Sequence, residues 1–315
     1  MVKWNGMAVV FGEVLVEEGT GAPVVGGAPF NVARHLAAFM APPLLVTRIG
    51  DDRNGAAVRA ELERFVIPDA GLQVDPMEET GRAVAERHGG APRLTLLPRQ
   101  AYDFIDPQAA AAAVTDGGHH DTVYFGTLAQ REERSRLALT AVLDATSALR
   151  FLDLNLRPGQ ATEAIVTKSL TLADVVKVNE EELQALFQWY FQIGPNDPAL
   201  STEEVHAACR ALMDRFSLQA LIVTLGHRGS VYFGADGSYV ATRDNPVPPF
   251  VIDTAGAGDA FSAVFMLGRA RGWPLELTLE RANEFAGAIC AVSGAVPGDM
   301  GFYDKWVARW RENAA

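Results

Sequence analysis

Short apolar segments alternate with helical patterns along most of this chain, and that alternation limits what it can fold into. The first four segments are residues 7–16, 30–39, 43–49 and 56–65, in the order strand, helix, strand, helix. Residues 7–16 are apolar at nearly every position, which indicates a strand buried on both faces. Repeated strand–helix alternation predicts a three-layer α/β/α fold with a mostly parallel central sheet. Ligands of such sheets bind at the carboxyl ends of the strands.

One stretch interrupts the alternation. Residues 72–105 contain short alternating runs broken by a His-Gly-Gly-Ala-Pro loop, a pattern typical of antiparallel hairpin strands outside a main sheet. We interpret this stretch, with residues 14–26, as a small β lid on a single domain spanning residues 1–315. An irregular surface excursion is the alternative. An isolated small sheet buries little apolar surface, so its exposed face, with Tyr102 and Phe104, could also pair with a second copy in a homodimer.

The composition excludes several classes of partner. Acidic residues outnumber basic ones by 39 to 27, giving a net charge of −12, which argues against a nucleic-acid or acidic-membrane surface. We find no signal peptide and no apolar run long enough to cross a bilayer. The isolated Cys209 and Cys290 indicate reduced thiols, so we expect a cytoplasmic protein. Neither a GxxxxGK[ST] loop nor a strand-linked GxGxxG motif occurs.

The stretch Asp-Thr-Ala-Gly-Ala-Gly-Asp at residues 253–259 is followed directly by an apolar helical pattern. Small residues let the backbone approach a ligand closely, and the N–H groups of a first helical turn attract anions. Gly256, Ala257 and Gly258 are therefore predicted to direct their amides at a phosphate. Asp259 would repel a phosphate, so its presence needs another reason, which the role of general base supplies. The alternative is an ordinary acidic residue at a helix N-terminus.

This stretch resembles, at every position, the active-site signature of the ribokinase-like (PfkB-type) carbohydrate kinases. The segment Gly-Gly-Ala-Pro-Phe-Asn-Val-Ala at residues 26–33, with Gly50 downstream, resembles the N-terminal signature of that family, although Met40 stands where Gly or Ser is usual. The resemblance covers nearly the whole chain and is closest to the fructokinase branch. It implies the ribokinase-like fold and ATP-dependent phosphorylation of a sugar hydroxyl. The implied cofactors are ATP and Mg²⁺, with K⁺ as a candidate third.

The resemblance also implies a set of sugar ligands. Glu17 falls where fructokinase-type members carry a sugar-binding Asp, and it can still accept hydroxyl protons. Asn31 offers both a donor and an acceptor, with a helix N-cap as its alternative role. Arg157, in a segment similar to the family's D-x-N-x-R-P motif, could hold substrate or phosphate, or form a structural salt bridge. The candidate sugar-binding residues are Glu17, Gly27, Asn31, Tyr102, Asn155 and Arg157.

A second set of residues is implied for the nucleotide and metal. Residues 179–182 match the family's N-x-x-E motif, which places Glu182 near Mg²⁺ through water, but they also fit a generic helix-capping pattern. Residues 224–229 resemble a T-x-G-x-x-G nucleotide loop. Asp253 lies in the loop that would hold a monovalent cation. The candidate ATP-binding residues are Asn179, Thr224, Gly226, Gly229 and Asn283.

The charge of the predicted sugar pocket favours a neutral substrate. Glu17 would repel a substrate carboxylate by about 1 kcal/mol at ~4 Å in water, and by more where solvent is excluded. Arg157 is one counter-charge. Further candidates are the lid arginines Arg87, Arg93 and Arg99. We therefore expect fructose, with 2-keto-3-deoxygluconate or a nucleoside as alternatives within the family. A non-catalytic sugar- or nucleotide-binding regulator is another alternative, against which the intact Asp259 counts.

Overall fold

The computed structural model describes residues 7–18, 23–86, 93–193, 202–242 and 250–312. Thirteen strands occur in these ranges. They are β1 (Met7–Phe11), β2 (Leu15–Glu18), β3 (Val24–Gly26), β4 (Leu44–Gly50), β5 (Leu72–Asp75), β6 (Gly81–Glu86), β7 (Arg93–Leu96), β8 (His120–Phe125), β9 (Leu149–Asp153), β10 (Val175–Asn179), β11 (Ala220–Thr224), β12 (Ser230–Gly234) and β13 (Tyr239–Ala241).

Nine of these strands form one sheet in the order β13-β12-β11-β10-β9-β8-β1-β4-β5. The seven strands from β11 to β5 pair in parallel, and β12 and β13 extend one edge in the antiparallel sense. The expected mostly parallel sheet is therefore confirmed. Since β11, β10, β9, β8 and β1 run side by side, their carboxyl ends meet at a common edge, where a ligand site is expected.

Helices cover both faces of the sheet. The helices are α1 (Ala28–Ala38), α2 (Arg53–Phe65), α3 (Pro107–Asp116), α4 (Glu133–Asp144), α5 (Glu163–Leu172), α6 (Glu180–Phe191), α7 (Thr202–Phe216), α8 (Ala257–Ala270), α9 (Leu275–Ile289) and α10 (Asp304–Glu312). Val9 and Phe11 pack with the layer of α3 to α7, whereas Val10 between them packs with α1, α2, α8, α9 and α10. This alternation follows from the two-residue period of a strand. None of these helices combines the length and apolar character needed to cross a membrane.

The predicted first strand, residues 7–16, is divided between two sheets. β1 ends at Phe11 and stays in the central sheet, whereas β2 begins at Leu15 and belongs to a smaller one. Gly12 between them has a φ of 151°, and a Cβ there would lie 2.4 Å from Cγ of Pro29. Glycine is therefore needed where the chain leaves the central sheet. The apolar pattern is continuous across this break, so it could not show the break.

The predicted lid stretch, residues 72–105, differs from the prediction at both ends. β5 is an edge strand of the central sheet, parallel to β4, and Ala101–Phe104 is a 3₁₀ helix. Within the described part of the stretch, β6 and β7 join β2 and β3 in a separate sheet of order β3-β2-β6-β7. β2 is antiparallel to β3 but parallel to β6, so this small sheet is mixed rather than antiparallel. The predicted loop at 88–92 lies outside the described residues.

Tyr102 lies in the core rather than on an exposed face. Its side chain is 0% exposed, and a Cβ at Gly81 would lie 2.8 Å from its ring. The guanidinium carbon of Arg131 is 4.9 Å from the centre of the same ring. The prediction that Tyr102 contributes to a dimer contact is therefore corrected, because a fully buried ring has no surface to offer. Among the described side chains of the small sheet, Val24 is an exposed apolar one, at 54%.

Arg131 ties the segment that follows the small sheet to the rest of the domain. Its guanidinium forms two 2.7 Å hydrogen bonds with the carboxylate of Asp103 and a 2.6 Å bond with the carbonyl oxygen of Leu97. Asp103 is fully buried. A buried carboxylate with this bidentate partner loses much of its stabilisation when the partner is removed.

We expect Arg131→Ala to lower the free energy of unfolding by roughly 3–5 kcal/mol, because it leaves the buried charge of Asp103 uncompensated. Arg134→Ala is the matched control, since Arg134 pairs with Asp106 at 2.6 Å but at the surface. An exposed pair contributes about 0–1 kcal/mol. Urea unfolding of both variants measures the difference. Equal losses would show that burial of Asp103 does not set the strength of the pair.

Candidate active site

The loop at residues 253–259 delivers free amides to the start of α8. Gly256 is the N-cap of that helix, with a left-handed φ of 78°, and a Cβ there would lie 2.5 Å from Cα of Ala295. The amide of Ala257 makes a long 3.4 Å contact with the carbonyl oxygen of Thr254. The amides of Gly256 and Gly258 have no hydrogen-bond partner among the described residues. These amides stand at the positive end of the helix, a favourable place for an anion.

Asp259 is buried in the first turn of α8, where it forms a hydrogen bond with α1. Nδ2 of Asn31 donates to its Oδ2 at 2.7 Å. The pKa of Asp259 is raised to about 6, and burial is the main cause. The hydrogen bond from Asn31 lowers the pKa, Asp153 raises it, and the charges of Lys177 and Arg157 lower it. A carboxylate with a pKa of about 6 is ionised at neutral pH yet basic enough to accept a proton.

A buried ion pair lies beneath the loop. Nζ of Lys177 donates to both oxygens of Asp153, at 2.9 and 2.8 Å, and the two residues are opposite each other in the β9–β10 pairing. Oδ2 of Asp153 also accepts from Ser262 of α8 at 2.8 Å and from Tyr124 of β8 at 3.3 Å. A Cβ at Gly258 would lie 3.2 Å from Nζ of Lys177, so the ammonium group lies close to the start of α8.

Sequence reasoning did not single out Lys177. A signal for it was nevertheless present, since it stands within the apolar run Val-Val-Lys-Val of β10. A lysine inside a strand buried on both faces must be paired, because lysines are almost never fully buried otherwise. The carboxylate that pairs with it could not be identified from the pattern, since the contact joins residues 24 positions apart.

Asn179 and Glu182 form the capping pattern that was the alternative to a ligand role. Oδ1 of Asn179 accepts from the amide of Glu182, and Oε2 of Glu182 accepts from the amide of Asn179, both at 2.9 Å. Oε1 of Glu182 accepts from the amide of Leu156 at 2.7 Å, and burial raises the pKa of this carboxyl. Both carboxylate oxygens are thus held by backbone amides. A water-mediated metal contact would have to use their remaining lone pairs.

The candidate nucleotide residues lie at the end of β11 and on α9. Oγ1 of Thr224 donates to the carbonyl oxygen of Val178 at 3.3 Å, and Gly226 and Gly229 flank the 3₁₀ turn that follows, with φ of 61° and 87°. Asn283 is buried on α9. Its Nδ2 contacts Oγ of Ser230, Oγ1 of Thr242 and the carbonyl oxygen of Leu279, at 2.9, 3.0 and 2.9 Å. The amide donors of Asn283 are therefore committed to protein oxygens.

The candidate sugar residues surround the same edge of the sheet. Gly27 is the N-cap of α1 with a φ of 104°, and a Cβ there would lie 2.7 Å from the carbonyl oxygen of Glu13. Glu17 is half-buried, and burial raises its pKa. Asn155 takes a left-handed φ of 41° directly after β9. Arg157 is exposed, and its guanidinium group has no hydrogen bond or ion pair with any described residue, so the salt-bridge alternative finds no partner there.

Glu13 is a site carboxyl to which sequence reasoning assigned no role. It is buried, its Oε2 has no partner in the described part of the chain, and burial raises its pKa to about 7. Its charge interacts with Arg157, which lowers the pKa, and with Asp259, which raises it. Glu13 is therefore a further acidic side chain of the candidate site, in addition to Glu17 and Asp259.

A cavity in the protein surface does not coincide with the candidate site. A cavity of about 490 Å³ is lined by residues such as Ala8, Met40 and Ala270. Ala8 lies at the amino end of β1, Met40 follows α1, and Ala270 is at the carboxyl end of α8, opposite to Asp259. The candidate site is instead the α8 N-terminus, because the free amides and the perturbed carboxyl groups are there.

Comparison with known proteins shows the fold and the family. The α/β/α layers are those of the ribokinase-like fold, which the crystal structure of a putative ribokinase II from E. coli shares at a TM-score of 0.78 and 18% identity, covering 96% of this chain and 99% of that one. The model of the pfkB family of carbohydrate kinases matches residues 2–299. The chain therefore belongs to this family and is a sugar kinase.

Individual relatives resemble this chain at low sequence identity. The fructokinase of Klebsiella pneumoniae is 27% identical over 282 residues, covering 84% of this chain and 85% of its own. The crystal structure of fructokinase from Vibrio cholerae O395 with fructose, ADP and calcium has a TM-score of 0.75 at 23% identity, covering 93% of this chain and 95% of that one. The 2-dehydro-3-deoxygluconokinase of Thermotoga maritima has a TM-score of 0.78 at 16% identity, covering 96% and 100%. The two structures show the shared fold.

We expect Gly256→Ala to destabilise the protein by more than Gly272→Ala. Both glycines flank α8 with a left-handed φ, of 78° and 67°, so alanine costs roughly 1–2 kcal/mol at either position. A Cβ at Gly272 meets nothing within 4 Å, whereas one at Gly256 collides with the backbone of Ala295. Urea unfolding gives both free energies. Equal costs would mean that the Gly256 loop can move away from Ala295 freely.

Proposed function

We propose that this protein is an ATP-dependent fructokinase-like enzyme, which transfers the γ-phosphate of ATP to a primary hydroxyl of a neutral hexose, most simply fructose. The observation that carries the proposal is the position of Asp259. It is a buried carboxylate with a pKa of about 6, directly after the loop amides of residues 256–258. A non-catalytic binding protein would have no use for a base beside a phosphate site.

Asp259 acts as the general base in this proposal. The sugar hydroxyl oxygen attacks the γ-phosphorus while its proton passes to Asp259. The bond from phosphorus to the bridging oxygen of ADP then breaks, which yields the sugar phosphate and ADP. The amides of Gly256, Ala257 and Gly258 stabilise the charge that develops on the equatorial oxygens. Because the transition state is loose, positioning contributes more than strong basicity, so a pKa of about 6 suffices.

The proposed nucleotide site lies at the carboxyl ends of β10 and β11. Thr224, Gly226, Gly229 and Asn283 would surround the nucleotide, and Asn179 would approach its phosphates. The described residues contain no cluster of three or more metal-binding side chains. This fits Mg²⁺, which binds through substrate phosphates, waters and one or two carboxylates rather than a protein cage. Glu182 would hold it through water. When bound, Mg²⁺ neutralises charge on the phosphate oxygens.

The remaining assignments of the site are proposals of the same kind. Asp253 is the candidate for a monovalent-cation loop, and its Oδ1 accepts from the amide of Ala255 at 2.9 Å. The sugar would contact Glu17, Gly27 and Asn31. Tyr102 is a weaker candidate than its sequence position suggested, because its ring is fully buried. The small sheet would close over the sugar and exclude water, which competes as phosphoryl acceptor. Dimerisation through this sheet remains a prediction.

We expect Asp259→Asn to retain the fold and to lower kcat at least ~100-fold with the best acceptor. ATP binding should be unchanged or slightly tighter, because a negative charge leaves the phosphate site. Wild-type kcat/KM should fall about tenfold per unit as the pH drops below about 6, since protonated Asp259 cannot accept a proton. The residual rate of Asp259→Asn should lack this fall. ADP release with ATP, Mg²⁺ and a panel of sugars measures these rates.

Asp304→Asn is the matched control, because Asp304 is an exposed acidic residue in the first turn of α10. Its kcat should equal that of the wild type. If Asp259→Asn kept most of its turnover, Asp259 would be an ordinary acidic residue at a helix N-terminus and the mechanism would be wrong.

We expect fructose to have a higher kcat/KM than 2-keto-3-deoxygluconate, because Glu13 and Glu17 are two acids near Arg157, whose guanidinium group has no partner among the described residues. Of the lid arginines, Arg99 is paired with Glu78. Arg87 and the side chain of Arg93 lie outside the described residues. Steady-state kinetics on both sugars decides the preference. A higher kcat/KM for the keto acid, abolished by Arg157→Ala, would overturn it in favour of the acidic substrate.

A further inference from the structure

Arg34 is a buried cation whose guanidinium group joins three elements. Projecting from α1, its Nη1 donates to Oε2 of Glu61 on α2 at 3.0 Å. Its Nη2 donates to the carbonyl oxygen of Val25 in β3 at 2.9 Å and to Oδ1 of Asn31 at 2.6 Å. The side chain is 7% exposed and lies over the ring of Phe30, 4.7 Å from its centre. Sequence reasoning assigned no role to this arginine.

The contact with Arg34 determines which end of the Asn31 amide faces Asp259. A guanidinium group has only donors, so it can bind the oxygen of the amide but not its nitrogen. With Oδ1 held by Arg34, Nδ2 must point the other way, and it donates to Oδ2 of Asp259 at 2.7 Å. The flipped amide would place an N–H against Arg34 and an oxygen against the carboxylate. Both contacts would then be repulsive.

We propose that Arg34 is a positioning residue for the catalytic carboxylate, which acts by holding the Asn31 amide so that its N–H₂ group faces Asp259. This inference rests on the proposed role of Asp259 as general base. Without Arg34 the amide can rotate, and the hydrogen bond that orients the base and stabilises its ionised form is populated only part of the time. The bond from Arg34 to Val25 links the same arrangement to the small sheet.

Several charged or titratable groups face Asp259 besides Asn31. They are Glu13 after β1, Tyr124 of β8, Asp153 of β9, Arg157 after β9 and Lys177 of β10. Among the described residues, Asn31 is the side chain that donates a hydrogen bond to Asp259. The loss of this hydrogen bond therefore changes the pKa of Asp259 in a known direction. Because that bond lowers the pKa of Asp259, removing it raises the pKa and moves the acidic limb of activity to higher pH.

The test is the pH profile of kcat/KM for Arg34→Met. Methionine keeps apolar contact with the ring of Phe30, and Glu61 retains a second partner in Arg64 at 2.9 Å. We expect the acidic limb to move upward by about one pH unit, since a hydrogen bond to a charged group corresponds to roughly one to two pKa units. We also expect kcat at pH 7 to fall about tenfold. The KM for ATP should not change.

Arg64→Met is the matched control. Arg64 pairs with the same Glu61 and lies 5.1 Å from the ring of Phe65, but it does not contact Asn31. Its pH profile should match the wild type. Should Arg34→Met fail to fold, Arg34→Gln replaces it with the same expected shift, because a glutamine amide can offer either end to Asn31.

The outcomes separate this inference from the proposed function. A folded Arg34 variant with the wild-type acidic limb would overturn the positioning role, even if Asp259→Asn were inactive. An Asp259→Asn variant with full turnover would instead overturn the proposed mechanism. An equal shift in the Arg34 and Arg64 variants would show that Glu61, rather than Asn31, transmits the effect.

Discussion

The buried ion pair between Lys177 and Asp153 is the contact on which the geometry of the site depends. It joins the middle of β10 to the carboxyl end of β9, and Ser262 brings α8 onto the same carboxylate. Breaking a buried pair typically costs 3–5 kcal/mol, because the remaining charge has no partner. The start of α8, with its open amides and Asp259, is therefore held over the strand ends by a contact that the protein cannot easily give up.

The same pair also balances the charge around the proposed base. Burial is the largest influence on the pKa of Asp259 and raises it. Asp153 also raises this pKa and Lys177 lowers it, and the resulting value is about 6. A lone buried carboxylate would be driven further towards its neutral form, and one bonded directly to Lys177 would be a weak base. Nζ of Lys177 also lies close to Gly258, 3.2 Å from where a Cβ would be. A chain with a net charge of −12 thus presents a locally favourable place for a phosphate.

The residues proposed to bind the sugar belong to segments that leave the central sheet, unlike the ion pair of β9 and β10. Gly12 and Gly27 have backbone conformations that let β1, β2 and α1 meet closely. Glu13 and Glu17 both interact with the charge of Arg157, and Asn31 bonds to Asp259. Relatives on this fold include a fructokinase and a 2-dehydro-3-deoxygluconokinase. The fold is common to both, so the choice of substrate must depend on such side chains rather than on the sheet.

The sequence by itself determined the α/β/α class and the glycine-rich start of α8 with Asp259 in its first turn, because periodicity and short motifs are local properties of the chain. It did not determine the place of Asn31, which lies inside α1 rather than at its N-cap and bonds to Asp259. It could not determine that residues 7–16 divide between two sheets, that Tyr102 is buried, or that residues 72–75 join the central sheet. Those outcomes depend on strand pairing and packing between distant segments. The contacts around Asp259 are of the same kind, since Lys177 with Asp153 and Arg34 with Asn31 serve the site only once β9, β10, α1 and α8 have packed together.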